Sequence, residues 1–169
     1  KKEGKIANLE KDIAGENLYG TTGIGHTRWA THGAPSDANA HPHINGDSSI
    51  AIVHNGIVEN YVELKEWLTK EHGITFRTET DSEVIAHLLG VLKKTTLEDA
   101  VFEAVKMMRG AYAIVAMSKD EPGKIVAYRK DAPLIAGLGK GCNFIASDIP
   151  ALLKYLNKIY LIENNEMVI

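Results

Sequence analysis

Two helix patterns in direct succession, set between strands that turn back within a few residues, restrict the fold of this chain more than any other feature. Thr80 opens the first, with Glu83 three residues on as in a capping box and apolar Ile85, Leu88, Leu89 and Leu92 at helical spacing. The second begins around Thr95 with Glu98, carries Val101, Ala104, Val105 and Met108, and stops at Gly110. A further helix precedes them: it starts near Asn60 with Glu63 as box partner, buries Tyr61, Leu64, Trp67 and Leu68, and ends before Gly73. Strands are expected from Ser49 to His54 and from Tyr112 to Met117. The latter joins through Glu121-Pro122-Gly123 to Ile125 to Tyr128 as a hairpin, and Asn164-Asn165 marks another. A doubly wound parallel sheet interleaves its helices with its strands. Helices in series and tight strand turns predict an α+β fold with antiparallel layering instead.

With 169 residues, 44% of them hydrophobic, the chain can bury one real core, and one domain is expected. Lys and Arg total 19 against 22 acidic residues, which leaves no basic field for a nucleic-acid backbone, so nucleic acid is not an expected partner. A single cysteine, Cys142, cannot form an internal disulfide, and no signal peptide or long apolar span is visible. A reducing cytoplasmic setting and no membrane are the expectation. The chain opens at Lys1-Lys2-Glu3 without a methionine and stops at Met167-Val168-Ile169 in a strand pattern, so it reads as a fragment.

The densest polar information lies between Gly23 and Gly56, where five of the seven histidines fall. A metal hydrolase is the first chemistry to weigh. The spacing argues against it, for there is no His-x-x-x-His on a helix and no Cys pair, and histidines hydrogen-bonded in a polar cleft fit better. Arg28 ends a strand-like run and enters a loop, from which a planar guanidinium can take a carboxylate in two parallel hydrogen bonds; an Arg packed on the neighbouring Trp29 is the plainer alternative. Asn55-Gly56 is by itself a hairpin signal, yet Ile57-Val58 and a helix follow without a returning strand. An Asn amide beside a Gly backbone N–H also forms the donor pair that stabilises a tetrahedral oxyanion. Asp81 in the first turn of a helix is favoured there by the helix dipole, and a functional Asp would bind a substrate ammonium. Gly137-Leu138-Gly139-Lys140-Gly141 lacks the spacing of a phosphate loop and reads as a turn, and Cys142 beside it has no feature that would make a thiolate.

In order along the chain, Gly25-His26-Thr27-Arg28-Trp29-Ala30-Thr31-His32-Gly33, Asn39-Ala40-His41-Pro42-His43, Val53-His54-Asn55-Gly56 and Thr80-Asp81-Ser82-Glu83-Val84 resemble class II glutamine amidotransferases. Within that class they are most similar to the glucosamine-6-phosphate synthase branch; the amidophosphoribosyltransferase branch does not usually carry Trp-Ala-Thr-His-Gly after the Arg. The resemblance runs from about Lys5 to the C-terminus, including Arg109-Gly110-Ala111-Tyr112 and Ile145-Ala146-Ser147-Asp148. It implies a four-layer α-β-β-α sandwich of mostly antiparallel sheets, the type of hydrolases that use their own N-terminal residue as nucleophile. By the same resemblance Arg28 holds the glutamine α-carboxylate and Asp81 its α-ammonium, and the loop of Trp29, Thr31 and His32 closes over the substrate. Asn55 and Gly56 form the oxyanion hole. No cofactor and no metal are implied.

The resemblance further implies that L-glutamine is hydrolysed to glutamate and that ammonia passes to a downstream sugar-phosphate isomerase domain, which makes glucosamine 6-phosphate from fructose 6-phosphate. A homodimer through that domain goes with it. In relatives the nucleophile is an N-terminal cysteine upstream of the position matching Lys5, and no such cysteine occurs here. Residues 1–169 therefore read as an incomplete glutaminase domain, inactive alone. A non-catalytic glutamine-binding module, or the amidotransferase domain of another class II enzyme, is the alternative.

Overall fold

The protein was analysed as a computed structural model that describes residues 1–29, 33–156 and 158–169. Among them the elements run α1 (Ile6–Asp12), β1 (His43–Ile44), β2 (Ile50–Val58), α2 (Tyr61–His72), α3 (Asp81–Leu92) and α4 (Leu97–Met107). There follow β3 (Gly110–Ser118), β4 (Val126–Lys130), β5 (Ile135–Leu138), β6 (Asn143–Ala146), a 3-10 turn (Ile149–Ala151), β7 (Ile159–Leu161) and β8 (Glu166–Val168).

β2 and β3 form the spine, paired antiparallel over nine residues from Ile50 opposite Ser118 to Val58 opposite Gly110. Strand alternation sends Ile50, Ile52 and Val58 to one face with Tyr112, Ile114 and Ala116, and there α2, α3 and α4 cover them. On the opposite face Ala113 and Ala127 meet Ala136 and Ile162, so small side chains let a second sheet lie against the first. The first sheet has the order β1-β2-β3-β4-β8 and the second β6-β5-β7, with every pairing antiparallel. Outside the second sheet, Leu152 and Leu156 pack on Ile135. The layers are thus helices, sheet, sheet and a last layer that consists here of the 3-10 turn and the chain after it. This is the expected α+β sandwich.

The helix boundaries lie close to their local signals, but the expected Asn60–Glu63 capping box is absent: the Asn60 amide donates to Met107 O and accepts from Arg109 N–H, and so makes no cap on α2. α2 ends at Gly73 in the left-handed region, and Thr80 caps α3 by accepting the Glu83 N–H. α4 starts one residue later than its pattern suggested, with Thr96 accepting from Asp99. α1 carried no strong signal; none of its residues is buried.

Three expectations need correction. β2 does not close at His54 but continues through Asn55 and Gly56, because β3 pairs with it along its whole length and Gly56 takes a φ of 106°. Residues before Arg28 are no strand, since nothing pairs with them among the described residues. The turn at Asn164-Asn165 exists, with Glu166 N–H donating to Glu163 O, but it joins β7 and β8, which belong to different sheets.

Glu83 behaves differently from a capping-box partner. Its carboxylate, 3% exposed, accepts from the backbone N–H groups of Arg77 (2.8 Å) and Thr78 (2.7 Å) and from the Thr78 hydroxyl (2.7 Å), because the loop before α3 folds back over its first turn. Burial alone would raise its pKa; hydrogen bonds from His87, Arg77 and Thr78 outweigh that and bring it from the model-peptide 4.5 to about 2. A depressed carboxylate contributes stability that is full above pH 4.5 and is lost as pH falls toward 2. Glu83→Gln is expected to cost about 3 kcal/mol at pH 7 and to flatten the acid limb of stability in that window. Urea unfolding at several pH values checks it; a variant with the unchanged wild-type acid limb would refute the assignment.

Candidate active site

β1 is only two residues long and pairs with Ala51 and Ile52, so beyond it the outer edge of β2 lacks a strand partner among the described residues. The start of α3 approaches that edge. Asp81, 3% exposed, accepts the Val58 N–H on Oδ2 at 2.9 Å, and His54 Nδ1 lies 2.9 Å from the Ser82 hydroxyl. Between this edge, the start of α3 and the irregular segment around His26 lies a cavity of about 260 Å³. Arg28, Trp29, Asn55, Gly56 and Asp81 all line it, so five of the seven residues marked from sequence converge on one pocket. Thr31 and His32 lie outside the described residues.

Arg28 sits at a φ of 34°, rare for a residue with a side chain. Its guanidinium donates to the carbonyl of Gly33 at 2.9 Å and more loosely to that of Ala34, and its N–H donates to His26 Nδ1 at 2.8 Å. Trp29 is 91% exposed, which excludes the packed Arg–Trp pair as its explanation. Asn55 is half-buried, and its Oδ1 lies 2.5 Å from His26 Nε2. Gly56 is exposed, and a side chain there would meet Ala111 O at 2.1 Å.

Histidines shape the remaining wall. His41 packs at a tilt of 38° against His26 with ring centroids 4.2 Å apart and meets His43 edge-on at 4.8 Å. Burial, then the nearby His26, His43, His54 and Arg28, hold His41 far below the usual imidazole value at about 2; burial and Lys1 bring His43 to about 4. Both rings are therefore neutral at physiological pH; His41 lines the pocket without adding charge, and His43 packs behind it. Among the described residues no group of three or more His, Cys, Asp or Glu side chains is placed to hold a metal ion. His26 and His41 belong to the pocket although the sequence assigned neither a role, their signal being only the crowding of histidines between Gly23 and Gly56; Ser82 also lines it, beside Asp81 in its motif.

Cys142 is exposed in the turn between β5 and β6, closed by Gly139 N–H donating to Cys142 O, and does not line the cavity. No helix among the described residues is long and apolar enough to cross a membrane.

A two-sheet α+β sandwich of this kind is the fold of N-terminal-nucleophile amidotransferases. Two solved structures share it: the glutamine phosphoribosylpyrophosphate amidotransferase of B. subtilis (TM-score 0.70, 26% identity, covering 84% of this chain and 31% of that one) and the allosteric regulatory enzyme of purine biosynthesis (TM-score 0.66, 27% identity, covering 77% and 29%). The glutamine amidotransferase domain family matches residues 26–154, and the chain belongs to that family. Its sequence is 53% identical to the glutamine–fructose-6-phosphate aminotransferase (isomerizing) of Clostridium tetani over 99% of this chain, and 54% identical to that of Clostridium perfringens over 100% of it. The Thermus thermophilus enzyme of the same name is 51% identical. The chain spans 27% and 28% of the length of the two clostridial relatives.

Proposed function

We propose that this chain binds L-glutamine as the glutaminase part of an enzyme that aminates fructose 6-phosphate to glucosamine 6-phosphate. The observation that carries the reading is the meeting of Arg28 and Asp81, opposite in charge, on one cavity with Asn55 and Gly56. A free α-amino acid needs such a pair: a fork for its carboxylate and a desolvated carboxylate for its ammonium. Asn55 and Gly56 then face the side-chain amide. Glu59 N–H turns inward to Arg109 O while Val58 N–H turns outward to Asp81, and strand alternation would send the Gly56 N–H outward with Val58, toward the pocket. Both donors would stabilise the oxyanion formed when a cysteine thiolate attacks the amide carbon. Ammonia leaves, and water cleaves the resulting thioester to glutamate.

Roughly half-identical relatives named for the fructose 6-phosphate reaction favour that acceptor over the phosphoribosyl one, whose structural neighbours are about a quarter identical. The nucleophile would come from residues outside these 169, as would the isomerase domain that receives the ammonia and through which the whole protein would form a homodimer. Trp29, Thr31 and His32 would close over the substrate. No cofactor is required by this chemistry, and an unpaired, exposed thiol at Cys142 suits a reducing cytoplasm.

A non-catalytic glutamine-binding module is the second reading, which fits the absence of Cys142, the one cysteine of these 169 residues, from the cavity lining. Intact mass of the full-length protein before and after treatment with a glutamine-mimicking diazoketone separates the two. One adduct on a cysteine outside these residues is the expected result. A protein that binds glutamine yet takes no adduct is a binding module, and an adduct on Cys142 would overturn the assignment of the nucleophile.

A further inference from the structure

His26 joins two parts of the pocket that sequence treats separately. Its Nδ1 lies 2.8 Å from the backbone nitrogen of Arg28, and that nitrogen can only donate. An Nδ1 that accepts cannot carry a proton, so the neutral ring holds its hydrogen on Nε2. Nε2 in turn lies 2.5 Å from Asn55 Oδ1, and an N–H there requires an oxygen opposite it. The reverse orientation of the amide would set two donors against each other. The Asn55 NH₂ therefore points away from His26, and Asn55 lines the pocket together with His26.

We propose that His26 is a positioning residue: by accepting from Arg28 and donating to Asn55 it locks the Asn55 amide with its NH₂ toward the oxyanion and couples that orientation to the backbone of the carboxylate-binding arginine. The proposal rests on the amidotransferase reading for its catalytic consequence. The tautomer and the amide orientation stand on the hydrogen bonds themselves. Packing of His26 against the buried, neutral His41 keeps the ring in place.

Two polar substitutions separate this role from mere packing. His26→Gln keeps a donor near the position of Nε2, whereas His26→Asn keeps an acceptor near Nδ1 but has nothing that reaches Asn55. In the full-length protein, glutaminase kcat should fall roughly tenfold to a hundredfold in His26→Asn and stay within about threefold of wild type in His26→Gln. KM for glutamine should change by less than about threefold in both, because Arg28 and Asp81 remain. Nitrogen-15 NMR of the wild type should find His26 protonated on Nε2.

Equal kcat for the two variants, a rise in KM in place of the fall in kcat, or a proton on Nδ1 would each overturn the proposal. A wild-type full-length protein that hydrolyses no glutamine would sink the amidotransferase reading and the catalytic role with it. The NMR measurement would still decide the orientation of Asn55.

Discussion

Asp81→Asn is expected to weaken L-glutamine binding by about a hundredfold while leaving the fold nearly as stable as before. The asymmetry comes from what each carboxylate oxygen does. Oδ2 accepts the buried Val58 N–H at 2.9 Å, and an asparagine oxygen can take over that bond. What asparagine cannot supply is the negative charge, which at a site 3% exposed to water has no competing solvation to weaken its attraction for an ammonium group. Calorimetric titration with L-glutamine and with its analogue lacking the α-amine checks the assignment as a pair. The wild type should discriminate strongly between the two ligands, and the variant should not. If Asp81→Asn binds L-glutamine like the wild type, Asp81 serves only to hold the edge of β2 to the start of α3.

Gly56→Ala carries the largest expected effect on stability, about 3 to 5 kcal/mol, or a fall in Tm of about 10 °C or more. Two penalties add at this position. A φ of 106° is strained for any side chain, and the added carbon would lie 2.1 Å from Ala111 O and 2.8 Å from Tyr112 Cα. Both are backbone atoms of β3, which is paired to β2 over nine residues and cannot retreat locally. Gly73→Ala is the control: it also has a positive φ, 65°, but meets nothing within 4 Å, so about 1 kcal/mol is expected there. Thermal unfolding followed by circular dichroism measures both. Equal losses at the two positions would mean that the close approach of β2 and β3 at Gly56 is absent.

The conformation that makes Gly56 sensitive also suits the proposed chemistry. Gly56 lines the cavity at a stretch of β2 that β1 is too short to cover. Stability and substrate access therefore depend on the same glycine, and Gly56→Ala should lose glutamine binding along with its stability.

Helix ends were legible in the sequence because capping is local. The Thr80 cap and the Gly73 stop act within a few residues, and α3 begins and α2 ends where those signals place them. The β3–β4 hairpin was legible for the same reason, its turn lying at Glu121-Pro122-Gly123. So were the chemical types in the pocket: a guanidinium, a carboxylate in a first helical turn and an Asn-Gly pair are single-residue properties. The roles assigned to them came with the resemblance of the ordered motifs.

Longer-range relations needed the tertiary structure. Asn55-Gly56 carries the local signal of a hairpin, and only nine-residue pairing with β3 makes it the interior of a strand. Asn164-Asn165 does turn the chain, but which sheets it links depends on β4 and β5, each of which offers an edge to a different strand. Glu83 looked like a capping partner until the returning loop brought the N–H groups of Arg77 and Thr78 to its carboxylate. His26 was one histidine among several, and its hydrogen bond to Asn55 exists because the irregular segment lies against the unpaired edge of β2. Sequence by itself determined the elements, their caps and the kinds of chemistry available, since these depend on neighbours in the chain. Which donors met which acceptors was decided only by the tertiary structure, because hydrogen bonds act over about 3 Å in space and carry no record of separation along the chain.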